Sequence, residues 1–297
     1  MRASNSLMRL LKSGVIAVAT LVLTACSSLQ LAYNYAPGLI AYRANTYLNL
    51  DEKQQALLDQ ELATFAAWHD ENLPRYTSTL NQWANRLSKP EPFTGQEVLA
   101  MQETIEQQLQ TLGTRAAHQL APLLVTLGPQ QLKQLQSKFK DGNEEYFSDF
   151  LKNPESPSNI KKRHARLTKR FEDWLGTLSP QQRNILITVS DKRAPIIQAW
   201  YTERTLRQQA LLQLIQTQQN APPAQAQQAF EDYLQSLSRY REPMLKDQRY
   251  TLRLEWAQAT AEVLNVASRE QKQYLQKKLR GYAQDFAALT PKRIAKN

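Results

Sequence analysis

A helix-opening signature that occurs four times restricts this chain more than any other feature. It reads Leu50-Asp51-Glu52-Lys53-Gln54, Leu127-Gly128-Pro129-Gln130-Gln131, Leu178-Ser179-Pro180-Gln181-Gln182 and Ala267-Ser268-Arg269-Glu270-Gln271. In each, the second residue suits a helix N-cap, and the glutamine at the third helical position can reach back to the cap amide. Pro129 and Pro180 fall at the first helical position, where a missing N–H costs nothing. Eight residues after each opening position stands a leucine, Leu58, Leu135, Leu186 or Leu275, on the face expected to turn inward. The spacing is irregular, so the chain is not a solenoid. Taken in consecutive pairs, the boxes suggest two related helical halves, 50–155 and 156–297.

Apolar residues recur between the boxes at helical spacing. Leu58, Leu62, Phe65, Trp68 and Trp83 mark a helix from Asp51 to about Leu87, which Pro74 is expected to kink or split. Thr94-Gly95-Gln96-Glu97 opens another, carrying Val98, Ile105, Leu109 and Leu112 to about Leu127. Further helices are expected over Pro129–Leu151, Asn159–Leu175 and, unbroken, Pro180–Gln219. One long helix then follows Pro222-Pro223 as far as Val263, and a last one runs from Ser268 to about Leu289. The 8 glycines of this 297-residue chain are under half the usual share, which leaves few turns for a β fold. The expected architecture is all-α, an elongated multi-helix bundle of long kinked helices.

The first 25 residues have the layout of an export signal. Arg2, Arg9 and Lys12 precede a short apolar run, Val15 to Leu23, too short to cross a bilayer, which needs roughly 20 apolar residues. The run ends in Leu23-Thr24-Ala25-Cys26, which resembles the lipobox of bacterial lipoproteins. That resemblance implies cleavage after Ala25 and acylation of Cys26, the single cysteine of the chain, so that a covalent lipid is the only expected cofactor. Ser27, by the same resemblance, implies the periplasmic face of the outer membrane. Loss of the leader takes the formal net charge from +10 to +7. Residues 26–49 then form a tether and first helix, with tyrosines that suit either a membrane interface or packing on the main body.

Two further resemblances follow. The Leu-Ser/Thr-x-x-Gln boxes, Leu178 to Gln182 most closely, resemble those of the Spy/CpxP group of periplasmic helical proteins, which implies a chaperone or envelope-stress role. The lipobox, the segment Leu31-Ala32-Tyr33-Asn34 and the stretch Arg170-Phe171-Glu172-Asp173-Trp174-Leu175-Gly176-Thr177-Leu178-Ser179-Pro180-Gln181-Gln182 are similar to a family of proteobacterial lipoproteins of unknown function.

No catalytic constellation stands out. His69, His118 and His164 are mutually out of helical reach, and there is no HExxH, nucleophile elbow or glycine-rich phosphate loop. His69-Asp70-Glu71 points three ways on a helix, so no metal is expected. The foremost surface feature is a basic run, Lys161, Lys162, Arg163, Arg166, Lys169 and Arg170, a face for an anionic partner. Export removes nucleic acid from consideration. The sequence therefore points to a non-enzymatic, membrane-anchored module that binds unfolded polypeptide, anionic lipid or another envelope component. The alternative is a scaffold that docks another envelope protein through helices. An exposed apolar groove would favour helical docking, a concave basic surface would favour client or lipid binding, and a pocket with buried carboxylates would revive an enzyme.

Overall fold

The computed structural model describes residues 28–290, so the expected leader, Leu23, Thr24, Ala25 and Cys26 lie outside the described residues. Within them the chain forms ten α-helices and no strand. They are α1 (Ser28–Leu48), α2 (Glu52–Arg86), α3 (Gly95–Leu124), α4 (Pro129–Tyr146), α5 (Pro157–Leu175), α6 (Pro180–Lys192), α7 (Ile197–Thr217), α8 (Pro223–Ser236), α9 (Pro243–Asn265) and α10 (Arg269–Leu289). The four boxes open α2, α4, α6 and α10. Asp51, Ser179 and Ser268 accept the backbone N–H of Gln54, Gln182 and Gln271, and each glutamine returns a bond to its cap amide. Gly128 has no side chain to offer, and only the Gln131 half of its box forms, at 2.9 Å.

Two expected helices differ from those observed, and a third runs on through its proline. Pro74 does not split α2, which continues through it for 35 residues. Proline removes one intrahelical bond, and the fully buried Leu73 beside it keeps the segment packed. The expected helix over 180–219 breaks at Pro195, whose turn Ala194–Ile196 separates α6 from α7. The expected helix from Pro223 to Val263 breaks ahead of Pro243, which removes helical conformation from the preceding Glu242 (φ −69°, ψ 124°). There Tyr240 adopts φ +50°, in the left-handed half of backbone space that a side chain rarely enters. Asn49, Asn153 and Asn220 take the same sign of φ, more cheaply, since a short amide tolerates it.

The four box glutamines also pair with one another across helices. Gln54 and Gln131 exchange two amide bonds, at 3.2 and 2.6 Å, and Gln182 and Gln271 exchange two at 3.0 Å each. Each amide also holds a carbonyl near its partner's box: Gln54 that of Thr126, Gln131 that of Asn49, Gln271 that of Thr177 and Gln182 that of Val263. One reciprocal clamp therefore fastens α2 to α4, and a second fastens α6 to α10.

Packing crosses residue 155 throughout. α2 lies antiparallel to α10, with Thr77 bonded to the Ala283 carbonyl and Gln276 to that of Ala84. α3 is backed along one side by α8 and then α9: His118 meets Glu231, Arg249 meets Glu106, and Arg253 meets both Glu103 and Glu106. Gly95 is required where α3 crosses α9, because a Cβ there would lie 2.6 Å from Cγ of Gln258. The buried side chains form five clusters, of which some are bridged by shared half-buried leucines: Leu50 joins one pair, Leu264 and Leu275 another.

Candidate functional site

The antiparallel pairing of α2 with α10, and the separate backing of α3 by α8 and α9, leaves a trough between α3 and α10 with α2 as its floor. It encloses about 570 Å³. Met101, Ile105, Leu109 and Leu112 project from α3, Tyr76, Leu80 and Trp83 from α2, and Leu275, Leu279 and Phe286 from α10, with Trp174 at the rim. The α3 residues span eleven positions, which makes the trough roughly 16 Å long. No carboxylate belongs to its lining, and the amide of Gln108 is engaged by Thr79 at 3.0 Å. Ile105 is 43% exposed, Leu109 60% and Trp174 41%, so the walls meet solvent. Contiguous apolar surface of this kind is uncommon on a folded chain.

One end of the trough is closed by a polar-aromatic knot that docks α1. The Tyr33 hydroxyl donates to Asp70 at 2.6 Å and lies 2.8 Å from Nδ1 of His69. Since the hydroxyl has one proton, neutral His69 carries its own on Nδ1 and donates it to Tyr33. Phe65 and Tyr33 stack on the His69 ring, and Tyr76 leans against it. Burial holds the His69 pKa below the ordinary histidine value, against the opposing charge of Asp70. Burial and the bond to Asp70 hold the Tyr33 phenol well above its ordinary value, and burial raises Tyr76. His69, Asp70 and Glu71 gather no further ligand, and among the described residues no group of three metal-binding side chains is assembled.

The basic run lies away from the trough, on α5, and its six residues separate. Lys161, Lys162, Lys169 and Arg170 are exposed, while Arg163 and Arg166 turn inward. Lys169 pairs with Asp173 at 2.8 Å along the helix, and Arg163 with Asp191 at 3.1 Å. Arg163, Arg166 and Arg170 line a second cavity, which Lys161, Lys162 and Lys169 do not reach.

Sequence reasoning placed Ile105, Leu109 and Leu112 on a helix without showing what they face. Their period is that of a core stripe, and nothing local distinguishes a wall facing another helix from one facing a trough. The tyrosines of α1 divide in a comparable way. Tyr33 docks, whereas Tyr35 and Tyr42 are 73% and 68% exposed. With Leu31 and Leu39 they form a stripe at intervals of four, four and three residues along the outward side of α1.

Residues 46–250 match a family of unknown function, DUF6279, over more than half of the chain. The chain belongs to the DUF6279 family. No curated protein and no solved structure matches it. The DUF6279 match takes in α2 and α3, the floor and one wall of the trough, together with Arg163, Arg166, Arg170 and Arg193, the four arginines that line the second cavity. It ends before α10, the other wall. DUF6279 carries no stated activity, and the likeness to the Spy/CpxP group rests on the boxes alone.

Proposed function

We propose that this DUF6279 chain is a lipid-anchored envelope protein, not an enzyme, that binds an apolar segment of another polypeptide in the trough between α3 and α10. The observation that carries the reading is the trough itself, open along its length, walled by two helices and lined without a carboxylate. An enclosed pocket would suit a small apolar molecule. An open trough with exposed Ile105 and Leu109 suits an amphipathic helix, which seats side chains at i, i+3, i+4 and i+7.

Anchoring through Cys26 at the periplasmic face of the outer membrane belongs to the same proposal. Its support is the leader and lipobox, together with the exposed stripe Leu31, Tyr35, Leu39 and Tyr42, which starts five residues beyond the cysteine. Aromatic and aliphatic side chains mixed in this way suit the boundary between lipid and water. No helix of the described residues is long and apolar enough to cross a membrane.

The test is suppression of aggregation of an unfolded client at equimolar protein, with Ile105→Glu and Leu109→Glu as exposed variants that leave the core intact. Protection by the parent protein and at least a ten-fold loss in either variant supports the trough. No protection at low salt, or equal protection by both variants, removes the client-binding reading. A second reading, docking of one dedicated envelope protein through a helix, is favoured by the exposed apolar groove itself and by its fixed helical walls. It predicts capture of a single species in cells by a crosslinker at position 109, where an unfolded-client binder would capture many. Mass measurement of protein from its native host tests the anchor: the parent gains lipid and loses 25 residues, while Cys26→Ser gains no lipid.

A further inference from the structure

The second cavity encloses about 510 Å³ between α5, α6, α9 and the wide turn Phe147–Leu151 that follows α4. Four guanidinium groups line it, those of Arg163, Arg166, Arg170 and Arg193, against one carboxylate, Asp149. Two more carboxylates stand outside the lining: Asp191, which holds Arg163 and lies 2.6 Å from Nε2 of His164, and Glu255, whose charge acts on Arg193. Like charges gathered in a concavity repel, and the repulsion is relieved when an anion enters.

The guanidiniums are held in ways that leave donors unspent. Arg166 lies over the Phe150 ring at 4.3 Å and Arg193 over Trp256 at 5.6 Å, so aromatic faces fix the planes and leave N–H edges free. Arg193 gives one N–H to the Leu252 carbonyl at 2.9 Å, and Arg166 makes only two long contacts, at 3.4 Å, to the carbonyls of Lys162 and Asp149. Arg163 has a buried Nε with no partner, and Arg170 has no bond or ion pair among the described residues. A guanidinium offers five donors, so most of the twenty here remain uncommitted. Burial lowers the pKa of Arg193, against the raising effect of Glu255, which reflects a cation already stripped of part of its water. Beside these cations lie Leu167, Ile197 and the Trp256 ring.

We infer that this arginine-lined cavity is a binding site for a phosphate ester, with the phosphoryl oxygens on the guanidinium edges and the adjoining carbon group against Leu167, Ile197 and Trp256. The planar forks match a phosphoryl group two bonds at a time, which an ammonium cannot do. The site is separate from the trough and does not depend on the function proposed for it. A phosphoryl group on an apolar body is offered both by a phospholipid headgroup and by a soluble ester.

The experiment uses the full chain with two probes, phenyl phosphate in solution and phosphatidylcholine vesicles with or without phosphatidic acid. Binding of phenyl phosphate identifies a soluble ester as sufficient, and binding confined to phosphatidic acid vesicles identifies the lipid headgroup; either supports the site. Arg170→Gln, at an exposed residue without partners, and Arg166→Lys and Arg193→Lys, which keep charge but lose the fork, are each expected to weaken binding at least ten-fold. Lys161→Gln and Lys162→Gln remove the same charge from α5 outside the cavity and are expected to change it less than two-fold. Binding of neither probe overturns the inference. So does an equal loss in the Lys161→Gln and Arg170→Gln variants, or full retention of binding by both Arg166→Lys and Arg193→Lys, since each would mean attraction to charge alone and not to the guanidinium forks.

Discussion

Gln182 does three things with one side chain. It closes the cap of α6, holds the Val263 carbonyl and exchanges bonds with Gln271, and it is fully buried. Truncation leaves several buried groups unpaired at once, so Gln182→Ala is expected to cost about 2–3 kcal/mol, measured by denaturant unfolding. Glu203 has a comparable position beneath the strained Tyr240. It is 1% exposed, and its carboxylate accepts the backbone N–H groups of Arg241 and Glu242, at 2.6 and 2.8 Å, and Nε of Arg207 at 2.5 Å. Burial pushes its pKa up, but the bonds from Glu242, Arg207 and Arg241 outweigh that and hold it below the ordinary value. A carboxyl depressed by folding adds stability that is complete above its unfolded pKa and fades as pH falls through the folded one. Melting temperature is therefore expected to drop on acidification below about pH 4, more steeply in the parent than in Glu203→Gln. At neutral pH, Glu203→Ala is expected to cost about 3 kcal/mol, because it leaves Arg207 without its buried partner.

α1 shows how an element can be divided between two surroundings. Its inner side is held to α2 by the Tyr33–His69–Asp70 knot, and its outer side exposes apolar side chains. The depressed pKa of His69 gives the docking a pH dependence. Above the unfolded value of about 6.5 the docked, neutral form is fully stable, and that contribution is lost as pH falls through the lower folded value. Acidification is thus expected to release α1 before the rest of the fold, seen as earlier proteolysis between α1 and α2. Tyr33→Phe removes both bonds and is expected to loosen α1 by about 1–2 kcal/mol while leaving the overall melting of the other helices almost unchanged. The breaks at Pro195 and Pro243 also belong to this scale. Both prolines stand in the sequence, but each interrupts an apolar stripe that continues in register, and the stripe is the louder signal.

The whole molecule is interlocked. α2 depends on α10, and α3 on α8 and α9, so segments 50–155 and 156–297 each leave long apolar faces bare when separated. Expressed alone, neither is expected to give a cooperative thermal transition by circular dichroism, whereas the two co-expressed should recover one. The trough is a product of the same arrangement. α3 and α10 both pack on α2, and the space between them is what remains open.

The helices were legible because their determinants are local. Capping residues, glutamines at the third position and apolar residues at helical spacing all act within a few turns, and the helices from α2 to α10 begin at or within about two residues of such signals or of a proline. The cross-helix glutamine clamps, the trough and the arginine cavity were not legible. Gln54 and Gln131 are 77 residues apart, and Arg193 is 23 residues beyond the end of the basic run, at the end of α6. Which side chains meet over such separations depends on how helices are laid against one another. That is decided by packing of faces whose periodicity is the same whether they end in a core, a trough or a cleft.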